Sequence, residues 1–319
     1  VVSQRPKIDP KSEMERLERA GIQALTSDQP HYPALLKEIY DLPPVLYVKG
    51  TLLPEDQRSI AVVGTRKASA YGREAASHLT TDLTRAGVTI VSGLARGMDS
   101  IAHRSALDAG GRTIAVLASG LDTIYPPEHA TLASEIIQNG ALVSEHPLGV
   151  RPVASNFPRR NRIMSGMTLG TLVIEAAGGS GAIWTVRHAL EQNREVMCVP
   201  GSIFSLNSSE PNLLIQQGAK LVMDYTDVLE EVNLTSVGEQ LPMEALIRPS
   251  DDTEAAVLDH ISYDPIHIDE VGRLMQLPSS TISSTLALME IKGLIRQVGA
   301  MNYVRMREVP AGYGGGVSA

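Results

Sequence analysis

The residues in this chain best placed to do chemistry lie in one run, Asn156-Phe157-Pro158-Arg159-Arg160-Asn161-Arg162. Arg159, Arg160 and Arg162 put three fixed positive charges within four positions, and no acidic residue occurs between Glu145 and Glu175. Guanidinium groups beside an aromatic ring suit a polyanion that also carries flat rings, the arginines taking phosphates and the ring a base. The chain as a whole is acidic, with a formal net charge of -8, so the cluster is a local device. Pro158 fits the first turn of a helix, where its missing N–H leaves no bond unmade. On that helix Arg159 and Arg162 stand at i, i+3 and share a face, while Ile163 and Met164 can turn inward. Structural alternatives exist for the same residues. Phe157 can plug a helix entry, and at least one of the three arginines is expected to pair with Asp122, Glu145 or Glu175.

The elements that must hold this run are visible as an alternation of short apolar runs and amphipathic stretches. Strands are predicted at 60–63, 88–91, 113–117, 141–144, 171–174, 195–199 and 220–222, with helical segments at 71–86, 99–109, 128–139 and 182–192 between them. Near-continuous apolar strands separated by helices imply a parallel sheet covered on both faces, an α/β doubly wound Rossmann-like domain. The turns after these strands are rich in glycine and serine: Gly64-Thr-Arg66-Lys67, Ser92-Gly93-Leu-Ala-Arg96-Gly97, Ser119-Gly120, Gly178-Gly179-Ser180-Gly181 and Pro200-Gly201-Ser202. In such a sheet all five fall on the carboxyl edge, where ligands bind, and their exposed backbone N–H groups suit phosphate. The arginine helix opens after the fourth strand and joins the same edge.

Neither G-x-G-x-x-G nor G-x-x-x-x-G-K-[ST] occurs, which argues against an NAD enzyme or a P-loop ATPase, and no cofactor is expected. Asp99 and His103 share a helix face, but no third ligand is spaced to complete a metal site, so a hydrogen bond within the helix is expected instead. Ser92, Ser119 and Ser180 have no evident histidine base, so no catalytic triad is proposed. Cys198 is the single cysteine, excluding an internal disulfide and fitting a buried strand position in a reducing cytoplasm. A hydrophobic content of 43% and a charged content of 20% describe an ordinary globular chain. No apolar run is long enough for membrane insertion, and no cationic leader with an apolar core announces secretion. The sequence begins at Val1 rather than methionine, so a further N-terminal piece is expected.

Residues 1–57 read as a short, mainly helical entry segment packed on the main domain, with helices at 11–24 and 32–39. The Rossmann-like domain spans 58–235, a linker 236–252, and a C-terminal module 253–307, followed by a flexible tail at 308–319. The module has helices at 254–261, 268–275 and 279–292, then a hairpin turning at Gly299, a winged helix-turn-helix pattern. Its charge is balanced, with Arg273, Lys292, Arg296, Arg305 and Arg307 against Glu254, Asp259, Asp264, Asp269, Glu270 and Glu290. A DNA footprint is normally basic, so contact with protein and contact with DNA stand level here.

Val62-Val-Gly-Thr-Arg66, Ser92-Gly-Leu-Ala-Arg-Gly-Met-Asp-Ser-Ile-Ala-His103, Tyr125-Pro-Pro-Glu-His129, Ser144-Glu-His-Pro-Leu-Gly149, Asn156-Phe-Pro-Arg-Arg-Asn-Arg-Ile-Met-Ser-Gly166 and Val199-Pro-Gly201, in that order, resemble the DprA/Smf family. The resemblance covers about residues 32–234. It implies a non-enzymatic, dimeric, cytoplasmic protein that binds and protects incoming single-stranded DNA and loads RecA recombinase during natural transformation. Carried over by position, it implies DNA contacts at Arg66, Phe157, Arg159, Arg160 and Arg162. The glycine-rich edge adds Gly64, Lys67, Ser92, Gly93, Arg96, Asn156, Gly179, Ser180 and Gly181. Family members often carry a lysine three residues before the phenylalanine, where this chain has Ala154, so that one phosphate contact is either missing or replaced by Arg151. The usual Ser-Gly-Ser-Leu-Ile-Thr-Ala turn is Ser180-Gly-Ala-Ile-Trp-Thr-Val186 here.

Two rivals stay open. Glu175-Ala-Ala-Gly-Gly-Ser-Gly-Ala182 loosely resembles the glycine loop of lysine-decarboxylase-like phosphoribohydrolases, whose glutamate follows soon after. Here the next one is Glu191. The other rival is a transcription regulator that senses a nucleotide in its Rossmann domain and reads DNA with its winged helix.

Overall fold

A computed structural model describes residues 9–234 and, towards the C-terminus, residues 252–262, 265–275, 277–291, 294–298 and 301–305. The chain divides into two compact units, Val1–Val237 and Gly238–Ala319.

In the first unit the elements run as α1 (Pro10–Arg19), β1 (Ile22–Thr26), α2 (Ala34–Lys37), β2 (Val45–Gly50), β3 (Ser59–Val63), α3 (Ala70–Arg85), β4 (Thr89–Ser92), α4 (Met98–Asp108) and β5 (Thr113–Val116). They continue as α5 (Ala130–Gln138), β6 (Gly140–Ser144), α6 (Asn156–Gly166), β7 (Gly170–Val173), α7 (Ala182–Glu191), β8 (Glu195–Cys198), α8 (Ser209–Gln216), β9 (Lys220–Leu221) and α9 (Tyr225–Glu231). The strands form one sheet in the order β1-β2-β6-β5-β4-β3-β7-β8-β9. Strands β3 to β9 pair in parallel, as the apolar runs predict.

Along β3 the side chains alternate between two cores. Ile60 and Val62 pack with Leu79, Leu83, Met98 and Ala102 of α3 and α4. Val63 packs with Ile163 and Met164 of α6 and Val186 of α7. The sheet is therefore buried on both faces, which is why its strands lack polar alternation.

The first segment departs from expectation. The helix predicted at 11–24 ends at Arg19, because Gly21 takes a left-handed backbone (φ +66°) that stops it. The chain then enters β1, which pairs antiparallel with β2, and β2 pairs antiparallel with β6. Residues 9–57 thus extend the sheet as well as packing on it. The helix predicted at 32–39 is only α2, four residues long. Tyr32 and Leu36 are buried in the core beneath α6.

In the second unit, α10 (Asp252–His260), α11 (Ile268–Met275) and α12 (Ser279–Ile291) surround a core of Val257, Val271, Ile282, Leu286 and Met289. Strands β11 (Ile295–Gln297) and β12 (Asn302–Arg305) form the predicted hairpin, and β10 (Ile266–His267), unforeseen because it is two residues long, adds to β12. The winged-helix pattern is present. The linker, the hairpin turn at Gly299 and the tail lie outside the described residues.

Candidate nucleic-acid interface

The chain lays down β3, β4, β5 and β6 in one direction across the sheet, then crosses back to place β7 on the other side of β3. The turns after β3 and β7 therefore diverge, and a crevice opens between them at the topological switch point. A cleft of about 400 Å³ occupies it. Its walls include Gly64, Thr65 and Arg66 after β3, Gly178 to Gly181 after β7, Ala95 and, on α4, Asp99, then Phe157, Pro158, Arg160 and Asn161 on α6, and Trp184 on α7.

Glu175 ties the turn after β3 to the end of β7 behind this cleft. It is 1% exposed, and its carboxylate accepts from the Ser69 hydroxyl (2.5 Å) and the Ser69 N–H (3.0 Å) at the start of α3. Its carbonyl accepts from Thr65 N–H at 2.7 Å. A side chain on Gly64 would press on Met98 and on the Glu175 carbonyl, so the close approach of the two turns requires glycine there.

The arginine run divides. Arg160 is 4% exposed, and its guanidinium donates to the Gly93 carbonyl (2.7 Å), the Val116 carbonyl and the Asn161 side chain (3.0 Å). Burial lowers its pKa to about 10, against the opposing pull of Asp99 and reinforced by Arg66. Asp99 is buried as well, which raises its pKa. Arg160 and the N–H groups of Ala95 and Gly93 act the other way. Arg162 is 5% exposed and binds Glu145 (2.8 Å) and Asp41 (3.0 Å). Glu145 is one of the three carboxylates expected to take an arginine. Asp122 instead accepts from Gly149 N–H, and Glu175 holds Ser69. The placement on an open DNA face is therefore corrected for Arg162, which is held inside between Glu145 and Asp41 and does not line the cleft, whereas Arg160 lines the cleft from below with its Nε and Nη1 groups bonded to the protein.

Arg159 is exposed and pairs with no carboxylate among the described residues, and Arg151 is the same. Arg66 is exposed, with its guanidinium carbon 5.7 Å from the centre of the Phe157 ring. Tyr125 meets that ring edge-on at 5.8 Å and 64°. A cation over a ring at this distance contributes about 0.5–1 kcal/mol at an exposed site and fixes both partners in place. Lys67 is exposed beside Arg66, and its carbonyl accepts from Asn207. Arg96 reaches the same neighbourhood but is paired with Glu128 at 2.5 Å. A phosphate would have to displace that carboxylate.

The remaining expected residues separate similarly. Gly179, Ser180 and Gly181 line the cleft, the Ser180 hydroxyl meeting Ala182 N–H at 3.4 Å. Ser92 is buried and donates to the Val62 carbonyl. Gly93 is glycine because any Cβ there would collide with the Arg160 guanidinium. Ser92 lies beneath the cleft rather than on it, which corrects its expected DNA contact, whereas Gly93 lines the small recess beside Arg66, Arg96, Tyr125 and Phe157. Asn156 is half-buried and donates to the Ala118 carbonyl. The turns at Ser119-Gly120 and Pro200-Gly201 do not line the cleft, so three of the five glycine turns meet there rather than all five. The other two serve structure: Gly120 N–H donates to Val150, and Gly201 exchanges hydrogen bonds with Asn212.

His103 does not bond Asp99. Its Nδ1 lies 2.6 Å from the Thr113 hydroxyl, which itself donates to the Ile90 carbonyl, so the ring is the neutral Nδ1–H tautomer. Burial, and then the charge of Arg160, lowers its pKa from 6.5 to about 3. Cys198 is buried, which pushes its thiol up to about 12. Among the described residues no cluster of side chains could hold a metal ion, and no helix is long and apolar enough to cross a membrane. Two aromatic residues at the cleft, Tyr125 and Trp184, were not foreseen as site residues. The signal for Tyr125 was its place in the Tyr-Pro-Pro-Glu-His motif. Trp184 offered none beyond standing three residues after Gly181.

Comparison with known proteins supplies an independent finding. The profile of the DNA recombination-mediator protein A family matches residues 23–233, and that of the DprA winged helix domain matches residues 242–301. Protein Smf of Escherichia coli (strain K12) is 40% identical over 297 residues, which span 91% of this chain and 79% of that protein. The solved structure of Streptococcus pneumoniae DNA processing protein A superposes with a TM-score of 0.68 at 37% identity, covering 72% of this chain and 80% of that one. DNA processing protein A of Helicobacter pylori, whose structure is described for its single-stranded DNA binding mode, gives a TM-score of 0.60 at 26% identity. That match covers 67% of this chain and 96% of that one.

Proposed function

The chain belongs to the DNA recombination-mediator protein A family, also called DprA/Smf, and on that footing we propose that it binds single-stranded DNA along the switch-point cleft. In the same proposal it protects incoming DNA and loads RecA recombinase onto it during transformation, acting in the cytoplasm as a homodimer and as a binding protein rather than an enzyme. The observation that carries the reading is Arg66 standing over Phe157 at the cleft mouth, with Arg159 and Lys67 exposed nearby. Single-strand binding without sequence preference needs a cationic track and a stacking ring, and these residues provide both. The DNA set proposed for this chain is therefore Arg66, Lys67, Arg151, Phe157 and Arg159, with the backbone of Gly179 to Gly181. Self-association is supported by apolar side chains left open around α8, namely Leu213, Leu221, Met223 and, most exposed, Phe204.

A mobility-shift series is the test. Single-stranded oligothymidylate should bind more tightly than duplex of equal length, and the Arg66→Ala/Arg159→Ala double variant should lose most of that affinity. Equal affinity of wild type and double variant would sink the reading. The RecA part is tested by filament formation on DNA precoated with single-strand-binding protein, which the chain should accelerate. A monomer in sedimentation at micromolar concentration would overturn the dimer. The phosphoribohydrolase rival would be favoured by release of ribose phosphate from AMP. Its candidate Glu191 stands in the last turn of α7, 73% exposed and beside His188, outside the cleft lining.

A further inference from the structure

Helix α7 buries Ala182, Thr185, Val186 and Ala189, the stripe expected of a helix laid on a sheet. Trp184 lies off that stripe. It is the only tryptophan in the chain, it is 46% exposed, and it lines the same cleft as Arg66 and Phe157. Arg187, one turn further on, holds its guanidinium carbon 5.1 Å from the indole centre. Arg187 is itself exposed and makes no ion pair among the described residues. An open indole gains nothing from folding on its exposed area, and tryptophan left open in this way is characteristic of contact surfaces.

From this geometry we propose that Trp184 and Arg187 form a second base-stacking position on the cleft, which takes a further base of the same strand. The inference rests on the single-stranded DNA reading above and deepens it. Two aromatic–arginine pairs then serve one cleft: Phe157 with Arg66 at the entrance of α6, and Trp184 with Arg187 on the first turns of α7. These two helices are locked to each other next to the cleft. The Asn161 side chain donates to the Gly181 carbonyl at 3.1 Å, and His188 lies 3.2 Å from the Pro158 carbonyl. The spacing of the two rings is thereby built in rather than left to the ligand. In each pair the ring stacks on a base and the guanidinium neutralises an adjacent phosphate. The same cleft is lined by Gly178–Gly181, an uncharged stretch that a backbone can cross. The ligand class is an extended single strand long enough to reach both rings. A mononucleotide seats on the Arg66–Phe157 pair and cannot bridge to the second.

The full chain itself supplies the probe, because all tryptophan emission comes from Trp184. Titration with oligothymidylates of increasing length should leave the emission unchanged for the shortest that bind. Quenching should begin at the length that spans both pairs. Trp184→Ala should weaken a long oligothymidylate by roughly five- to 160-fold, the range of one lost stack. Trp184→Phe should recover most of the loss, whereas Trp184→Leu, which keeps apolar bulk for folding but offers no flat ring, should not. An abasic oligomer of the same length should bind wild type and Trp184→Ala alike. If the wild-type chain binds long oligothymidylate with unchanged emission and Trp184→Ala binds equally well, the second position is wrong while the cleft reading stands. If the wild-type chain binds no oligothymidylate at all, both fall together.

Discussion

Arg159 and Arg160 are neighbours in the chain and live in different media. Arg159 points to water without a carboxylate partner among the described residues. Arg160 is 4% exposed, bonded to two main-chain carbonyls, with its charge balanced by buried Asp99. Arg162, one turn on from Arg159, is also inside, held between Glu145 and Asp41. One short run of like residues thus builds a scaffold on one side of α6 and offers a surface on the other. A guanidinium bonded to main-chain carbonyls and largely desolvated has less to give a phosphate than an exposed one. It fixes the turns around the cleft instead. Loss of scaffold arginines should appear in stability, and loss of surface ones in DNA binding with stability intact.

The sharpest way to break this division is at Arg160. Arg160→Ala would leave the Gly93 and Val116 carbonyls without that donor and the Asp99 charge unopposed in the interior. Removing one side of a buried charged arrangement costs about 3–5 kcal/mol. Chemical denaturation should show a loss of that size, and a stability unchanged from wild type would mean that Arg160 belongs to the surface set. Arg162→Ala should also cost about 3 kcal/mol, because Glu145, 11% exposed, is left without its partner, while Asp41, 67% exposed, returns to water when released.

The scaffold side also makes a prediction about acid. His103 is buried close to Arg160 and stays neutral, its pKa held near 3 against an ordinary 6.5. A histidine whose pKa is lowered by folding contributes no penalty above its unfolded value. As pH falls from about 6.5 towards 3, the unfolded chain takes up a proton that the folded chain refuses, and stability drops. The loss should total on the order of a few kcal/mol at full extent. Urea midpoints measured from pH 7 down to pH 4 should fall steadily for wild type. His103→Asn should flatten that slope, whatever its effect on stability at pH 7. An equal slope in both would remove His103 from the account.

How far this division could be read beforehand depends on the residue. The seven parallel strands were legible because a strand buried on both faces is nearly continuous in apolar residues, as β3 and β6 are. The switch-point edge was legible from its glycine turns. Which turns meet there was not, since that depends on the order in which strands pair. The sharing of a face by Arg159 and Arg162 assumed a helix with one open side. In fact α6 is buried from Arg160 to Gly166, and helical spacing carries no information when almost the whole circumference is covered. Arg162 finds Asp41 at a separation of 121 residues, which no local spacing reveals. The first strand was missed for a simpler reason. Gly21 inside the predicted helix is a stop signal, and Ile22 and Leu25 face the core from a strand instead.

On the surface side the largest effect should come from Phe157. Phe157→Ala removes the ring under Arg66 and should weaken single-stranded DNA by the equivalent of about 1–3 kcal/mol. Thermal stability should move little, since the ring is half-buried and its neighbours Arg66 and Tyr125 are exposed. Arg66→Ala should change folding stability by no more than about 0.5 kcal/mol. A large destabilisation in either variant would return the pair to the scaffold and erase the contrast with Arg160.

The smallest effect, and the one that addresses charge alone, belongs to Arg159. A single strand releases counterions as its phosphates are neutralised, so binding weakens with salt in proportion to the number of contacts. Arg159→Ala should flatten the log–log salt dependence by about 0.7, the contribution of one phosphate contact. It should do so uniformly across base sequences, because a guanidinium in water reads charge and not bases. Arg160→Met, if the folded fraction is purified and tested, should leave that slope unchanged even though it sits next in the chain. A slope that shifts for Arg160 and holds for Arg159 would reverse the assignment of inside and outside on α6.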